Sequence, residues 1–190
     1  MEAARKAESS GRHIVHMEVG QPGTGAPVAA TQALARAMEQ GPLGYTVALG
    51  LPDLRVRIAR MYGEWYNVDL NPDRVIITPG SSGAFILAFT ALFDSGDRVG
   101  IGAPGYPSYR QILHALGLTP VDLQTAQENR LQPVAADFAN CNLQGVLFAS
   151  PANPTGTMPD RSAMSALIGA GQALFSVAVT PRANTRETRR

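Results

Sequence analysis

At 190 residues, with 45% hydrophobic and 16% charged residues, the chain is long enough for one domain with its own core. A formal net charge of +1 gives no electrostatic reason to expect nucleic acid or an anionic membrane as a partner. Cys141 stands alone, which excludes an internal disulfide and any cysteine-cluster zinc site. No secretory apolar core is visible in the first twenty residues and no apolar run approaches bilayer length, so the chain reads as cytoplasmic.

In chain order, residues 1–10 form a helix-favouring run of Ala, Glu, Lys and Arg, ended by Gly11. His13 to Val19 reads as a short extended stretch, and residues 20–25 as a flexible turn. Pro27 sits where a first-turn proline belongs, ahead of a helix over 28–40, and a second helix starts the same way at Pro52. Its apolar residues Leu54, Ile58, Met61 and Trp65 step by helical spacing and predict a stripe facing a core, while Arg55, Arg57 and Arg60 read as a solvated face. From Arg74 the pattern becomes strand, turn, helix: strands at 75–78, 99–101, 121–123 and 146–149, with helices at 81–93, 109–116 and 161–168. Such alternation argues for a parallel sheet with helical crossovers. Residues 173–180 are apolar and β-branched enough for one more strand, ended by Pro181. The ending is basic, with arginines at 161, 182, 186, 189 and 190 against Glu187 alone, and reads as a solvated tail.

Three strand-to-helix junctions carry chemistry. Thr78-Pro79-Gly80-Ser81-Ser82-Gly83-Ala84 opens a helix with small residues, so that backbone N–H groups and the helix dipole can face an anion. A simple phosphate ester fits it better than a nucleotide, because the spacing matches neither the dinucleotide fingerprint nor the phosphate loop. Ala103-Pro104-Gly105-Tyr106-Pro107 puts an aromatic ring at the same edge of the sheet, with Tyr106 able to stack on a flat heteroaromatic ring and Tyr109 reading as packing. Ser150-Pro151-Ala152-Asn153-Pro154-Thr155-Gly156 places the amide of Asn153 at a strand's carboxyl end, where ligands of open α/β sheets bind, although such a turn is also ordinary loop chemistry. Tyr45, in Gly44-Tyr45-Thr46, offers a hydroxyl to an anion or simply lies on the surface. His13, His16 and His114 have no metal-ligand spacing.

Together with Gly20-Gln21-Pro22 and Gly50-Leu51-Pro52, these motifs, in this order, resemble the class I/II aminotransferases, pyridoxal-phosphate enzymes of fold type I. The resemblance runs from about Met1 to Ile168. It implies an α/β fold, a three-layer αβα arrangement with a mainly parallel sheet, of which this chain carries part of the large domain. It implies amino-group transfer between an amino acid and a 2-keto acid in a homodimer. Residues 1–48 would belong to the small domain and N-terminal arm and 49–171 to the cofactor-binding large domain, with 172–190 outside the resemblance. Residue by residue, it implies Ser81 and Ser82 at the cofactor phosphate, Tyr106 stacked on the pyridine ring, and Asn153 donating to O3′ so as to favour the phenolate. Tyr45 would reach the phosphate of the partner subunit's cofactor, and Gly20 would lie near the substrate carboxylate. The Asn153–Pro154 bond is often cis in such proteins.

The family's Schiff-base lysine, the acid beside the pyridine nitrogen and the arginine for the substrate carboxylate all lie downstream of Gly156. The chain has one lysine, Lys6, which precedes every cofactor motif, so covalent attachment as in the family is not expected. The expectation is therefore a truncated chain that does not transaminate by itself. Residues 171–190 match no family motif and end as a shifted reading frame tends to end, and the arm that precedes Met1 in the family is not seen. The strand at 75–78 is expected to lack its family neighbours, or to pair with 173–180. A non-catalytic phosphate-binding or interaction protein, and a lyase or decarboxylase of the same fold, are the alternative readings, because the motifs present bind a cofactor without choosing its reaction.

Overall fold

The computed structural model describes residues 1–17, 20, 23–138 and 141–170, and the backbone of 173–177. The chain divides into two compact units, Met1–Leu51 and Pro52–Arg190.

The first unit holds α1 (Glu2–Ser9) and α2 (Val28–Gln40). Neither helix has a buried residue. On α1, Arg5 bonds Glu2 one turn back, and His16 lies 2.7 Å from the Glu8 carboxylate. Pro27 stands immediately before α2, as expected of a proline that cannot donate inside a helix.

The second unit contains α3 (Pro52–Tyr66), α4 (Gly80–Leu92), β1 (Arg98–Ala103), α5 (Pro107–Ala115), β2 (Thr119–Gln124), β3 (Gly145–Ala149), α6 (Arg161–Gly169) and β4 (Ala173–Val177). The strands form one sheet in the order β2-β1-β3-β4, and every pairing is parallel. Its central strands are buried over Val99–Ile101 and Gly145–Phe148, as a sheet covered on both faces requires. On one face Val99, Ile101 and Leu147 pack under Phe85, Phe89 and Phe93 from α4 and its end, and under Tyr109 and Leu113 from α5. On the other, Leu123, Leu143 and Val146 form a smaller core with Phe138 and Cys141. Gly100 faces this second core because a Cβ there would lie 2.8 Å from Leu143. The short helical turn Ala135–Phe138 packs beside β2 and α6, which brings helical structure to this side as well. The fold is α/β, part of the large domain of a fold type I enzyme.

Three expectations from the sequence are corrected. Residues 75–78 form no strand and pair with none among the described residues, the first of the two expectations for their pairing, and Ala173–Val177 pairs with β3. The run Val75-Ile76-Ile77 has the composition of a strand, but among the described residues no strand pairs with it, and Ile76 is 57% exposed. On α3, Leu54 and Trp65 are exposed, and the buried residues are Arg55 and Ala59. Arg55 is inside because its guanidinium finds three acceptors: the carbonyls of Val75 (2.9 Å) and Pro72 (3.0 Å) and the Asp73 carboxylate (3.0 Å). That fork ties the helix to the segment leading into α4, while Ile58 and Met61 of the expected stripe are half-buried. Arg57 and Arg60 are exposed as expected. Residues 178–180 of the expected last strand lie outside the described residues.

Candidate functional site

Because the strands are parallel, the loops leaving β1 and β3 emerge at the same edge of the sheet. After Ala149 the chain forms a compact turn: the Ala152 N–H donates to the Thr157 carbonyl (2.9 Å) and the Gly156 N–H to the Ala152 carbonyl (2.7 Å). Gly156 takes φ +68°, the left-handed region open to glycine. The Ser150–Pro151 and Asn153–Pro154 bonds are cis, the second as the resemblance implied. Asn153 is exposed at the tip and lines a cleft with Gly102, Gly105, Tyr109, Gln132 and Ala149.

The loop after β1 is tight. A Cβ on Gly105 would lie 2.4 Å from the Gly102 carbonyl oxygen, so only glycine lets the chain turn here. Tyr106 then stands just before α5, half-buried, with its ring edge-on to Tyr109 at 5.4 Å. Tyr109 in turn meets Phe85 edge-on at 5.1 Å, the preferred geometry for aromatic pairs. Burial, and secondarily Tyr106, push the Tyr109 phenol above its ordinary range. It therefore stays neutral and packs, as expected from the sequence.

Phe85 lies one turn into α4, whose first turn carries Ser81 and Ser82, both exposed. Pro79 precedes this 13-residue helix and no side chain caps it. Thr78 instead turns its hydroxyl to the Gly80 carbonyl (2.9 Å). Gly83 leaves room for Pro79, which a Cβ there would approach to 3.0 Å. Two hydroxyls and the N–H groups of an uncapped helix start form a donor set without a carboxylate, which suits a phosphate.

The aromatic chain Phe85–Tyr109–Tyr106 thus links the helix that begins with Ser81 and Ser82 to the Tyr106 loop, and Tyr109 shares a cleft with Asn153. Tyr45 and Gly20 belong to the Met1–Leu51 unit. Tyr45 is fully exposed, and Gly20 has nothing within 4 Å of where a Cβ would stand. Gln21 and Pro22 lie outside the described residues.

The sequence profile of the class I and II aminotransferases matches residues 12–173. The chain belongs to this family. It is 47% identical over 158 residues to a valine–pyruvate aminotransferase of Mycobacterium tuberculosis, covering 82% of this chain and 41% of that one. Among solved structures, an aminotransferase from Mycobacterium tuberculosis superposes with a TM-score of 0.85 at 42% identity, covering 92% of this chain and 47% of that one. A protein from Silicibacter pomeroyi assigned to the aminotransferases superposes with a TM-score of 0.82 at 68% identity, over 92% of this chain and 46% of that one. This aminotransferase chain therefore spans a little under half the length of the relatives it matches. Among the described residues no helix is long and apolar enough to cross a membrane.

Two residues beside these loops were not legible in the sequence. Gln132 is 3% exposed and donates through Nε2 to the Thr157 carbonyl (2.7 Å) and the Thr157 hydroxyl (2.9 Å). Thr125 donates its hydroxyl to the Ala103 carbonyl (2.7 Å). Neither stands in a motif, and both bonds span more than twenty residues, beyond the reach of local patterning.

Proposed function

We propose that the whole protein transfers amino groups between an amino acid and a 2-keto acid, and that this chain supplies the non-covalent half of its pyridoxal 5′-phosphate site. The cofactor, when bound, supplies the electron sink that labilises bonds at the amino acid's α-carbon. Ser81 and Ser82 hold its phosphate through their hydroxyls and the open first turn of α4. The Tyr106 ring stacks on the pyridine, and the Asn153 side-chain N–H donates to O3′, which favours the ionised oxygen. Tyr45 serves the phosphate site of a second subunit in a homodimer, and Gly20 lies beside the substrate carboxylate. Residues 1–48 then form the arm and small-domain part and 49–171 the partial large domain, with 172–190 a tail outside the family resemblance. Lys6, the one lysine of the sequence, lies in α1, ahead in the chain of every motif assigned to the cofactor. On this reading the chain alone binds the cofactor without a covalent link and does not transaminate. Its place of action is the cytoplasm.

The observation that carries the reading is the convergence of an uncapped serine helix start, an aromatic ring and an exposed amide at one sheet edge. Calorimetric titration with pyridoxamine 5′-phosphate tests it, because this form has no aldehyde and cannot react adventitiously with Lys6 or the N-terminus. Asn153→Ala and the Ser81→Ala/Ser82→Ala pair should each weaken binding about tenfold or more, the worth of one or two good hydrogen bonds. Binding unchanged in both variants would rule the site out.

A further inference from the structure

We propose that residues 125–133 act as a strap that fixes Tyr106 and Asn153 relative to each other, with Thr125 and Gln132 as its two positioning residues. The inference rests on the cofactor reading above for its effect on binding, and on geometry for the strap itself. At one end the Thr125 hydroxyl and N–H both reach the Ala103 carbonyl, at 2.7 and 3.4 Å, immediately before the loop that carries Tyr106. At the other, Gln132 Nε2 donates to both oxygens of Thr157, and that same carbonyl closes the Asn153 turn by accepting the Ala152 N–H at 2.9 Å. The Thr157 hydroxyl is bonded in turn to that of Thr155 at 2.8 Å.

Between its ends the strap is held in an unusual shape. Arg130 and Leu131 are consecutive non-glycine residues in the left-handed region, at φ +57° and +56°, a conformation that persists only where the surroundings enforce it. Backbone bonds from Arg130 to Gln127 (2.9 Å) and from Leu131 to Ala126 (2.9 Å) close it. Pro133, buried next to Gln132, packs on Gly102, where a Cβ would meet it at 3.3 Å. Burying this amide is tolerated because both of its donor bonds are made, and both are made to one threonine, so loss of the turn would leave them unmet. Neither strap residue needs to touch a ligand. Their effect is to set where the ring of Tyr106 and the amide of Asn153 stand.

The test uses the 190-residue chain and two readouts. Gln132→Met keeps the volume and removes the donors. Thr125→Val removes the hydroxyl, and Thr125→Ser restores it. By amide hydrogen exchange, Gln132→Met should speed the exchange of Ala152 and Gly156 about tenfold while Val99 and Leu147 in the sheet stay protected. By titration, Gln132→Met and Thr125→Val should each raise the dissociation constant for pyridoxamine 5′-phosphate about tenfold, with inorganic phosphate unaffected and Thr125→Ser close to the parent chain. Unchanged exchange at Ala152 and Gly156, or equal loss of protection throughout the sheet, would overturn the strap. So would tight ligand binding in Gln132→Met in a chain where Asn153→Ala weakens it. If the parent chain binds no pyridoxamine 5′-phosphate, the cofactor reading fails and the exchange data alone decide whether the strap holds the turn.

Discussion

Gly105→Ala is the smallest change that should disable the site while leaving the sheet intact. The added Cβ would lie 2.4 Å from the Gly102 carbonyl oxygen, about 1 Å inside a comfortable heavy-atom separation of roughly 3.5 Å. The obstacle is backbone, so no side-chain rotation relieves it, and the loop between Ala103 and Pro107 must shift by about that distance. Overpacking of this kind costs about 1–3 kcal/mol, and a misplacement of about 1 Å in a positioning element can cost on the order of 100-fold. Urea unfolding should register the first, and titration with pyridoxamine 5′-phosphate the second, with Tyr106 displaced. Gly63→Ala is the control. It lies within α3, its Cβ would meet nothing closer than 3.7 Å, and it should stabilise by about 0.5–1 kcal/mol with unchanged binding. If Gly105→Ala binds as well as the parent chain, the claim that this glycine places Tyr106 is wrong.

Arg55→Met should destabilise the second unit by about 2–3 kcal/mol in urea, because it abandons two carbonyls and a carboxylate on residues 72–75; a loss below about 0.5 kcal/mol would show that the fork is incidental. Phe89→Ala empties a fully buried position between α4 and β1 and should cost about 3–5 kcal/mol by the same assay. Asp160 caps α6 by accepting the Ala163 N–H at 2.8 Å and the Ser162 hydroxyl at 2.7 Å, and these bonds, the Ala163 amide first, hold its carboxyl below the ordinary range. Its folded pKa is thus below its unfolded one, so its contribution is full above the unfolded value and disappears as pH falls through the folded one. Asp160→Asn should flatten the acid limb of a stability–pH profile in that window, and an unaltered profile would contradict the assignment.

The parts legible in the sequence are those set by local chemistry. Pro27 and Pro52 mark helix starts that the structure places at Val28 and Pro52, because a proline's missing donor costs nothing there. The strands at Val99, Val121 and Val146 were legible from β-branched runs between turn residues. The misreadings share one cause, which is a partner distant in sequence. Val75-Ile76-Ile77 has strand composition, but no strand among the described residues comes beside it. Arg55 has the chemistry of a surface residue until the carbonyls of Pro72 and Val75 come beside it. Gln132 stands in a loop whose composition says nothing about Thr157, 25 residues on. The family was legible through motif order, and the proposed site residues were read from it, whereas the bonds that hold those motifs in place exist only after folding.

The most direct test of the central claim is an amide chemical-shift map of the 190-residue chain titrated with pyridoxamine 5′-phosphate. The account predicts saturable shifts at Ser81, Ser82, Tyr106 and Asn153, with the phosphate-facing pair alone responding to inorganic phosphate. Saturable shifts confined to residues away from this edge of the sheet, with those four unmoved, would contradict it.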